Sequence, residues 1–148
     1  YPQPNNATRP MPIIAIHGTG DTIDPYEGGG FPYWGKDSVP EDASKWASFN
    51  GCTDREVDAT SNSPGVKITR YSSCKEGADV VLYTILGAPH SSPGTPAIYG
   101  RFTRRLNVTA LVWHFMQQHP LQIVGATNAS QRLFLEFQRR AAPQPEGG

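Results

Sequence analysis

The sequence lacks the features that mark nucleic-acid-binding and membrane-spanning proteins. Its 148 residues carry 13 basic and 13 acidic side chains, so the formal net charge is zero. The charged residues form neither a basic stripe nor an acidic block, which argues against a nucleic-acid partner and against a solvating tail. No apolar run approaches the roughly 20 residues that span a bilayer. We therefore expect neither nucleic acid nor a membrane among the partners.

Cysteine is also scarce, since the chain contains only Cys52 and Cys74. No Cys-x-x-Cys motif is present and no histidine lies near either cysteine in sequence, so no metal site is predicted there. Three glycosylation sequons begin at Asn6, Asn107 and Asn128 and favour a secretory route. In that setting two cysteines favour a disulfide, which would stabilise the fold by roughly 3 kcal/mol. We expect a secreted, glycosylated and disulfide-bonded chain.

Glycine and proline are abundant, with 15 and 14 residues, and indicate many loops around a modest amount of regular structure. Short apolar or β-branched stretches predict strands, whereas capping signals and apolar periodicity predict helices. The predicted strands are 12–16, 66–71 and 78–86, and the predicted helices are 38–50, 106–119 and 130–141.

The predicted elements suggest one domain at 12–120, with an extended lead-in at 1–11 and a C-terminal helix and disordered tail at 121–148. Two near-continuous apolar strands, with helices between and after them, predict a mostly parallel α/β sheet flanked by helices. The helix at 106–119 is expected to pack on this sheet through its apolar face. Ligands of such sheets bind beyond the carboxyl ends of the strands, so the loops that follow the apolar strands are expected to be functional.

Acidic and imidazole side chains occupy those two loops. Asp21 and Asp24 lie in the turn after the first apolar strand, and His90 follows the second. A carboxylate that accepts a hydrogen bond from an imidazole selects the imidazole tautomer and stabilises the imidazolium. An imidazole, with an ordinary pKa near 6.5, suits a general base. The order of acid and then histidine matches the Ser…Asp…His order of α/β-hydrolases, but spacing leaves Asp21 and Asp24 as competing acids.

The other histidines have different predicted roles. His17 ends the first apolar strand and is expected to brace the turn by hydrogen bonding rather than to react. A metal site is chemically possible, although no fixed ligand spacing supports it. Its ligands would be His17, Asp21, Asp24 and His90. Surface or packing roles suffice for His114 and His119, which belong to a predicted helix and its end.

Several stretches of the chain are collinear with those of a known family. They read HGTGDTIDPYEGG, WASFNGC, YSSC and GADVVLYTILGAPHSSPG, and with the helix that follows they cover roughly 12–120. These stretches resemble the C-terminal half of the secreted polyhydroxybutyrate depolymerase and feruloyl esterase-like α/β-hydrolases. The resemblance implies a partial α/β-hydrolase fold in which Asp21 is the triad acid, His90 is the triad base, and Cys52 pairs with Cys74.

The resemblance further implies hydrolysis, without a cofactor, of esters on plant polysaccharides or of polyhydroxyalkanoates. However, the chain contains no Gly-x-Ser-x-Gly motif, and Ser91 and Ser92 lack a strand-to-helix elbow. We therefore predict the C-terminal portion of a secreted carboxylic ester hydrolase, inactive or nearly so by itself. Its expected partners are the missing N-terminal half of the hydrolase or a second copy of the chain.

A non-catalytic module that binds a polysaccharide or polyester is the alternative interpretation. The aromatic side chains Phe31, Tyr33 and Trp34, in a glycine-rich loop, could stack on sugar rings. In the esterase interpretation Tyr33 and Trp34 are the predicted substrate-binding residues.

Overall fold

The computed structural model of the chain describes residues 4–30, 37–58, 63–90, 106–120 and 136. Besides two short 3-10 helices, Pro4–Asn6 and Lys75–Gly77, the described residues form two α-helices and four strands. In chain order they are β1 (Ile13–Gly18), α1 (Val39–Phe49), β2 (Asp54–Asp58), β3 (Val66–Ser72), β4 (Val80–Ile85) and α2 (Val108–Gln118). The predicted helix at 130–141 lies outside the described residues, apart from residue 136.

The four strands form one sheet in the order β1-β4-β3-β2. Strands β1 and β4 are parallel, whereas β3 pairs antiparallel with both β4 and β2. The prediction of a mostly parallel sheet, as in half of an α/β-hydrolase, is therefore wrong. The chain leaves β3 at Ser72 and enters β4 at Val80, and so short a connection allows only an antiparallel pair, because a parallel crossover needs about a dozen residues or more.

Strand β2 was not predicted from the sequence. Its residues, Asp-Arg-Glu-Val-Asp, carry four charges among five positions and lack an apolar alternation. The strand lies at the edge of the sheet, and residues 54–57 are exposed. Charged side chains are typical of edge strands, since they discourage pairing with other chains. Only the pairing with β3 identifies this segment as a strand.

Helix α1 covers the β1 and β4 end of the sheet. Trp46, Ala43 and Ala47 pack in one buried cluster with Val80 and Leu82 of β4. The helix begins with a capping box, in which the Ser38 side chain accepts a hydrogen bond from the Glu41 N–H and the Glu41 carboxylate accepts one from the Ser38 N–H. The structure therefore confirms the predicted helix at 38–50, to within one residue at each end.

A disulfide joins the segment after α1 to the turn before β4. It links Cys52 to Cys74, at a sequence separation of 22. In the chain-entropy account, a loop of this size stabilises the folded state by about 3 kcal/mol. The bond holds the C-terminal end of α1 beside the connection that enters β4, one of the two inner strands of the sheet.

Helix α2 occupies the predicted place, but its packing differs from the prediction. Trp113 and Met116 are 58% and 60% exposed, whereas Phe115 is buried. The expectation that this apolar face packs on the sheet is therefore wrong for those two side chains. Neither helix among the described residues has the length and apolar character needed to cross a membrane.

Candidate active site

The loops that follow β1 and β4 lie side by side because these strands are parallel neighbours in register. His17 is opposite Thr84, and Gly18 is opposite Ile85. Backbone hydrogen bonds then continue beyond the sheet. The Thr19 N–H donates to the Ile85 carbonyl at 3.0 Å, and the Gly20 N–H donates to the Ala88 carbonyl at 3.0 Å. The two loops are therefore held together before either reaches its ionisable residue.

Glycine permits this close approach. A Cβ atom on Gly18 would lie 2.1 Å from the Ala88 carbonyl oxygen, and one on Gly20 would lie 2.8 Å from the Gly87 carbonyl oxygen. Both contacts are with backbone, which cannot move aside without shifting the loop. The Gly-Thr-Gly stretch thus allows the backbone of one loop to lie directly against that of the other.

The Asp21 carboxylate receives hydrogen bonds at both oxygens and is nearly inaccessible to solvent. Oδ1 accepts from the N–H groups of Ile23 and Asp24, each at 2.9 Å. Oδ2 lies 2.7 Å from His90 Nδ1 and 3.3 Å from His17 Nε2. Its side chain is 5% exposed. These contacts leave the carboxylate little freedom to rotate.

His90 combines a buried contact with an accessible ring. Its Nδ1 faces Asp21 Oδ2 at 2.7 Å, while its side chain is 52% exposed. An ionised carboxylate accepts hydrogen bonds only, so Nδ1 carries the proton and donates it. In the neutral imidazole, Nε2 is then the basic nitrogen. Asp21, rather than Asp24, is the carboxylate that contacts His90.

His17 contributes to the site in a way that the sequence did not indicate. It hydrogen-bonds through Nε2 to the Asp24 carbonyl oxygen at 2.9 Å, consistent with the predicted bracing of the turn. The same nitrogen also approaches Asp21 Oδ2. Two imidazoles, one buried and one half-exposed, therefore face one carboxylate oxygen.

Two further residues that sequence analysis missed hold the acid-bearing loop on the sheet. The hydroxyl of Tyr26 lies 2.8 Å from that of Thr84 in a buried contact. The Tyr26 ring also meets the His17 ring edge-on, with a centroid separation of 5.9 Å. A threonine in the otherwise apolar strand at 80–85, in register with His17, was the available signal for a polar contact at this position.

The carboxyl group of Asp21 remains ionised to a lower pH than usual. Burial alone would raise its pKa, because burial disfavours the charged form. Hydrogen bonds from the Asp24 N–H, from His90 and from the Ile23 N–H, with the attraction of a protonated His90, outweigh burial. The pKa of Asp21 therefore lies below its ordinary value of 3.8.

This lowered pKa predicts an acid-sensitive contribution to stability. The unfolded chain binds a proton at Asp21 more readily than the folded chain does, so folding stability rises with pH across this interval. The contribution is complete well above pH 3.8 and is lost as the pH falls through the lower folded-state pKa. We expect Asp21→Asn to flatten the pH dependence of the unfolding free energy between about pH 5 and pH 2, measured by urea denaturation.

The acid dependence of wild-type unfolding does not by itself isolate the contribution of Asp21. The hydrogen bond between the Ser38 N–H and the Glu41 carboxylate also lowers the pKa of Glu41, so the same pH interval contains a second contribution. Glu41→Gln serves as the matched control, since it removes the capping contribution and leaves Asp21 in place. Equal acid slopes in the wild type and in Asp21→Asn would contradict the prediction.

The remaining predicted site residues are in part outside the described structure. Of these, the residues outside the described ranges are Phe31, Tyr33, Trp34, Ser91, Ser92 and the sequon residue Asn128. Asn6 and Asn107 are exposed, and Asn107 caps α2 by accepting a hydrogen bond from the Ala110 N–H at 3.0 Å. Glycosylation at the sequons remains a prediction. Across the described ranges, no three His, Cys, Asp or Glu side chains are arranged to hold a metal ion.

The sequence is similar to feruloyl esterase B of Piromyces equi, with 35% identity over 91 residues. These residues cover 56% of this chain, and the chain spans 16% of the length of that esterase. No family model matches the chain, and no solved structure matches it. The similarity supports an esterase-like relationship. Together with the disulfide, it is consistent with an extracellular location.

Proposed function

We propose that this chain contributes the acid and the general base of a secreted carboxylic ester hydrolase, whose nucleophilic serine lies outside the sequence. The contact between Asp21 Oδ2 and His90 Nδ1 at 2.7 Å is the main support. The similarity to a feruloyl esterase favours an ester, such as a feruloyl or acetyl group on a plant polysaccharide, as the substrate. A polyester such as a polyhydroxyalkanoate is the second substrate class that the sequence motifs suggest.

The geometry suits proton transfer at His90 Nε2. Donation from Nδ1 to the buried carboxylate leaves the Nε2 lone pair available on a half-exposed ring. In the proposed reaction, Nε2 removes the proton of the serine hydroxyl as the serine oxygen attacks the ester carbonyl carbon. Asp21 stabilises the imidazolium, which then protonates the leaving alcohol. A water molecule, activated in the same way, hydrolyses the acyl-enzyme.

The first test uses the chain by itself. We expect turnover of p-nitrophenyl acetate and methyl ferulate to be low or absent, because the base has no serine to activate and triad members act as a unit. Spectrophotometric assays with His90→Ala, and with His114→Ala as an exposed-histidine control, measure any contribution of the site. Burst kinetics that His90→Ala abolishes and His114→Ala preserves would show that the chain holds its own nucleophile.

The second test examines the parent gene. If residues that precede Tyr1 in that gene contain an elbow serine, we expect the longer product to hydrolyse methyl ferulate and to react with a fluorophosphonate probe. Asp21→Asn in that product should lower kcat by about 10⁴-fold, because the imidazole loses the partner that selects its tautomer. A parent gene without such a serine, or full activity in Asp21→Asn, would refute the proposal.

A further inference from the structure

We propose that His17 is a positioning residue, whose Nε2–H orients the Asp21 carboxylate toward His90. The catalytic consequence depends on the function proposed above, but the positioning itself does not. The sequence predicted that His17 braces its own turn, with a metal site as the chemical alternative. The structure instead places it within reach of the carboxylate oxygen that His90 contacts.

The protonation of His17 follows from its neighbours. Its Nε2 lies 2.9 Å from the Asp24 carbonyl oxygen and 3.3 Å from Asp21 Oδ2. A carbonyl oxygen and an ionised carboxylate can only accept hydrogen bonds, so Nε2 must be the donor. The proton is therefore donated to the Asp24 carbonyl oxygen, and Asp21 Oδ2 lies beside the same N–H group at 3.3 Å.

The His17 ring is well held. The residue is in β1, in register with Thr84 of β4, and its side chain is 5% exposed. Tyr26 packs edge-on against the ring and is itself held by the hydroxyl contact with Thr84. His17 therefore lies within a strand of the sheet, whereas His90 lies in the loop that follows β4.

The two oxygens of the Asp21 carboxylate have different partners. Oδ1 accepts the two backbone N–H groups that close its own turn, and Oδ2 faces the two imidazoles. Without the N–H group of His17, Oδ2 would be held in position by His90 alone. We expect the carboxylate to reorient and the hydrogen bond from His90 Nδ1 to weaken.

Two substitutions separate the hydrogen bond from packing. His17→Phe keeps a planar ring beside Tyr26 but removes the Nε2–H. His17→Gln keeps an N–H donor near the same position but removes the ring. If His17 acts by donation, glutamine should preserve the contact between His90 and Asp21 and phenylalanine should not; if it acts only by packing, the order should be reversed.

The readout is the hydrogen-bonded Nδ1 proton of His90, observed by proton and nitrogen-15 NMR near neutral pH and assigned by its loss in His90→Ala. We expect this downfield signal in the wild type and in His17→Gln, and its loss or marked upfield shift in a folded His17→Phe. A folded His17→Phe that retains the wild-type signal would overturn the proposal.

Nitrogen-15 shifts of His17 in the wild type provide a second test, which does not depend on whether any variant folds. We expect the pattern of a ring protonated at Nε2, and a ring with a bare Nε2 would also overturn the proposal. Neither measurement requires ester hydrolysis. If both succeed while no ester is hydrolysed by the parent gene product, the proposed function fails and the positioning role stands.

Discussion

Replacement of Asn50 by aspartate is expected to destabilise the fold by about 3–5 kcal/mol, the usual cost of an uncompensated buried charge. Asn50 is fully buried, with 0% exposure, at the residue that follows α1. Its amide Nδ2 donates to the Met11 carbonyl at 2.6 Å and to the Ala78 carbonyl at 2.7 Å. Its Oδ1 accepts from the Met11 N–H at 3.0 Å.

The substitution keeps the shape of the side chain and changes only its chemistry. Two carbonyl oxygens that now receive N–H donors would face a carboxylate oxygen instead. If the introduced carboxylate took up a proton to avoid the repulsion, one of the two carbonyls would still lack a donor, at a cost of about 1–3 kcal/mol. Either state weakens the hydrogen bonds by which Asn50, at the end of α1, holds the segment before β1 and the turn before β4.

Chemical denaturation followed by circular dichroism measures this effect. The matched control is Asn107→Asp, the same chemical change at the exposed N-cap of α2. There the required atom is an acceptor for the Ala110 N–H, which aspartate also provides, and a negative charge is favourable at a helix N-terminus. Equal unfolding free energies for the two variants would contradict the account of Asn50.

The second large effect is expected at Gly18, where alanine should both destabilise the fold and separate the candidate acid from the base. The added Cβ would lie 2.1 Å from the carbonyl oxygen and 2.7 Å from the carbonyl carbon of Ala88. Overpacking of this kind costs about 1–3 kcal/mol, and sometimes more, because the structure must shift to accommodate the methyl group. The loop that would shift is the one that ends at His90.

Thermal unfolding and the His90 Nδ1 proton signal report the two consequences separately. Gly29→Ala is the matched control, since a Cβ there meets nothing within 4 Å, although its φ of +77° adds backbone strain. We expect Gly29→Ala to lose some stability but to keep the His90 signal, and Gly18→Ala to lose both. A Gly18→Ala chain that keeps the signal would show that the loops can separate without moving His90.

Local patterns sufficed to predict part of this structure. The capping signal identified α1, and the apolar runs before His17 and His90 identified β1 and β4. Capping and burial both depend on a few neighbouring residues, so local sequence reflects them. The same runs placed Asp21 and His90 after two buried strands. Their catalytic roles remain predictions, but their contact is part of the structure.

Local patterns failed where the direction of a strand or the identity of a partner mattered. Spacing alone did not distinguish Asp21 from Asp24, although the family resemblance implied Asp21. Both carboxylates lie in one turn, and only the position of the second loop selects between them. Sequence analysis also missed β2, whose charged residues form a strand only through pairing with β3. The prediction of a mostly parallel α/β sheet was wrong for the same reason, since the direction of a strand depends on the connection that leads into it.

The amino-acid pattern was sufficient to identify the two apolar strands, the start of α1 and the ionisable residues that follow those strands. The three-dimensional fold was needed to establish the mixed sheet, the contact of Asp21 rather than Asp24 with His90, the second imidazole at the Asp21 carboxylate and the buried hydrogen bonds of Asn50. The decisive contacts join residues far apart in the chain, 69 positions for Asp21 and His90 and 39 for Met11 and Asn50. Such contacts depend on backbone approach across the fold, for which a local run of residues carries no signal.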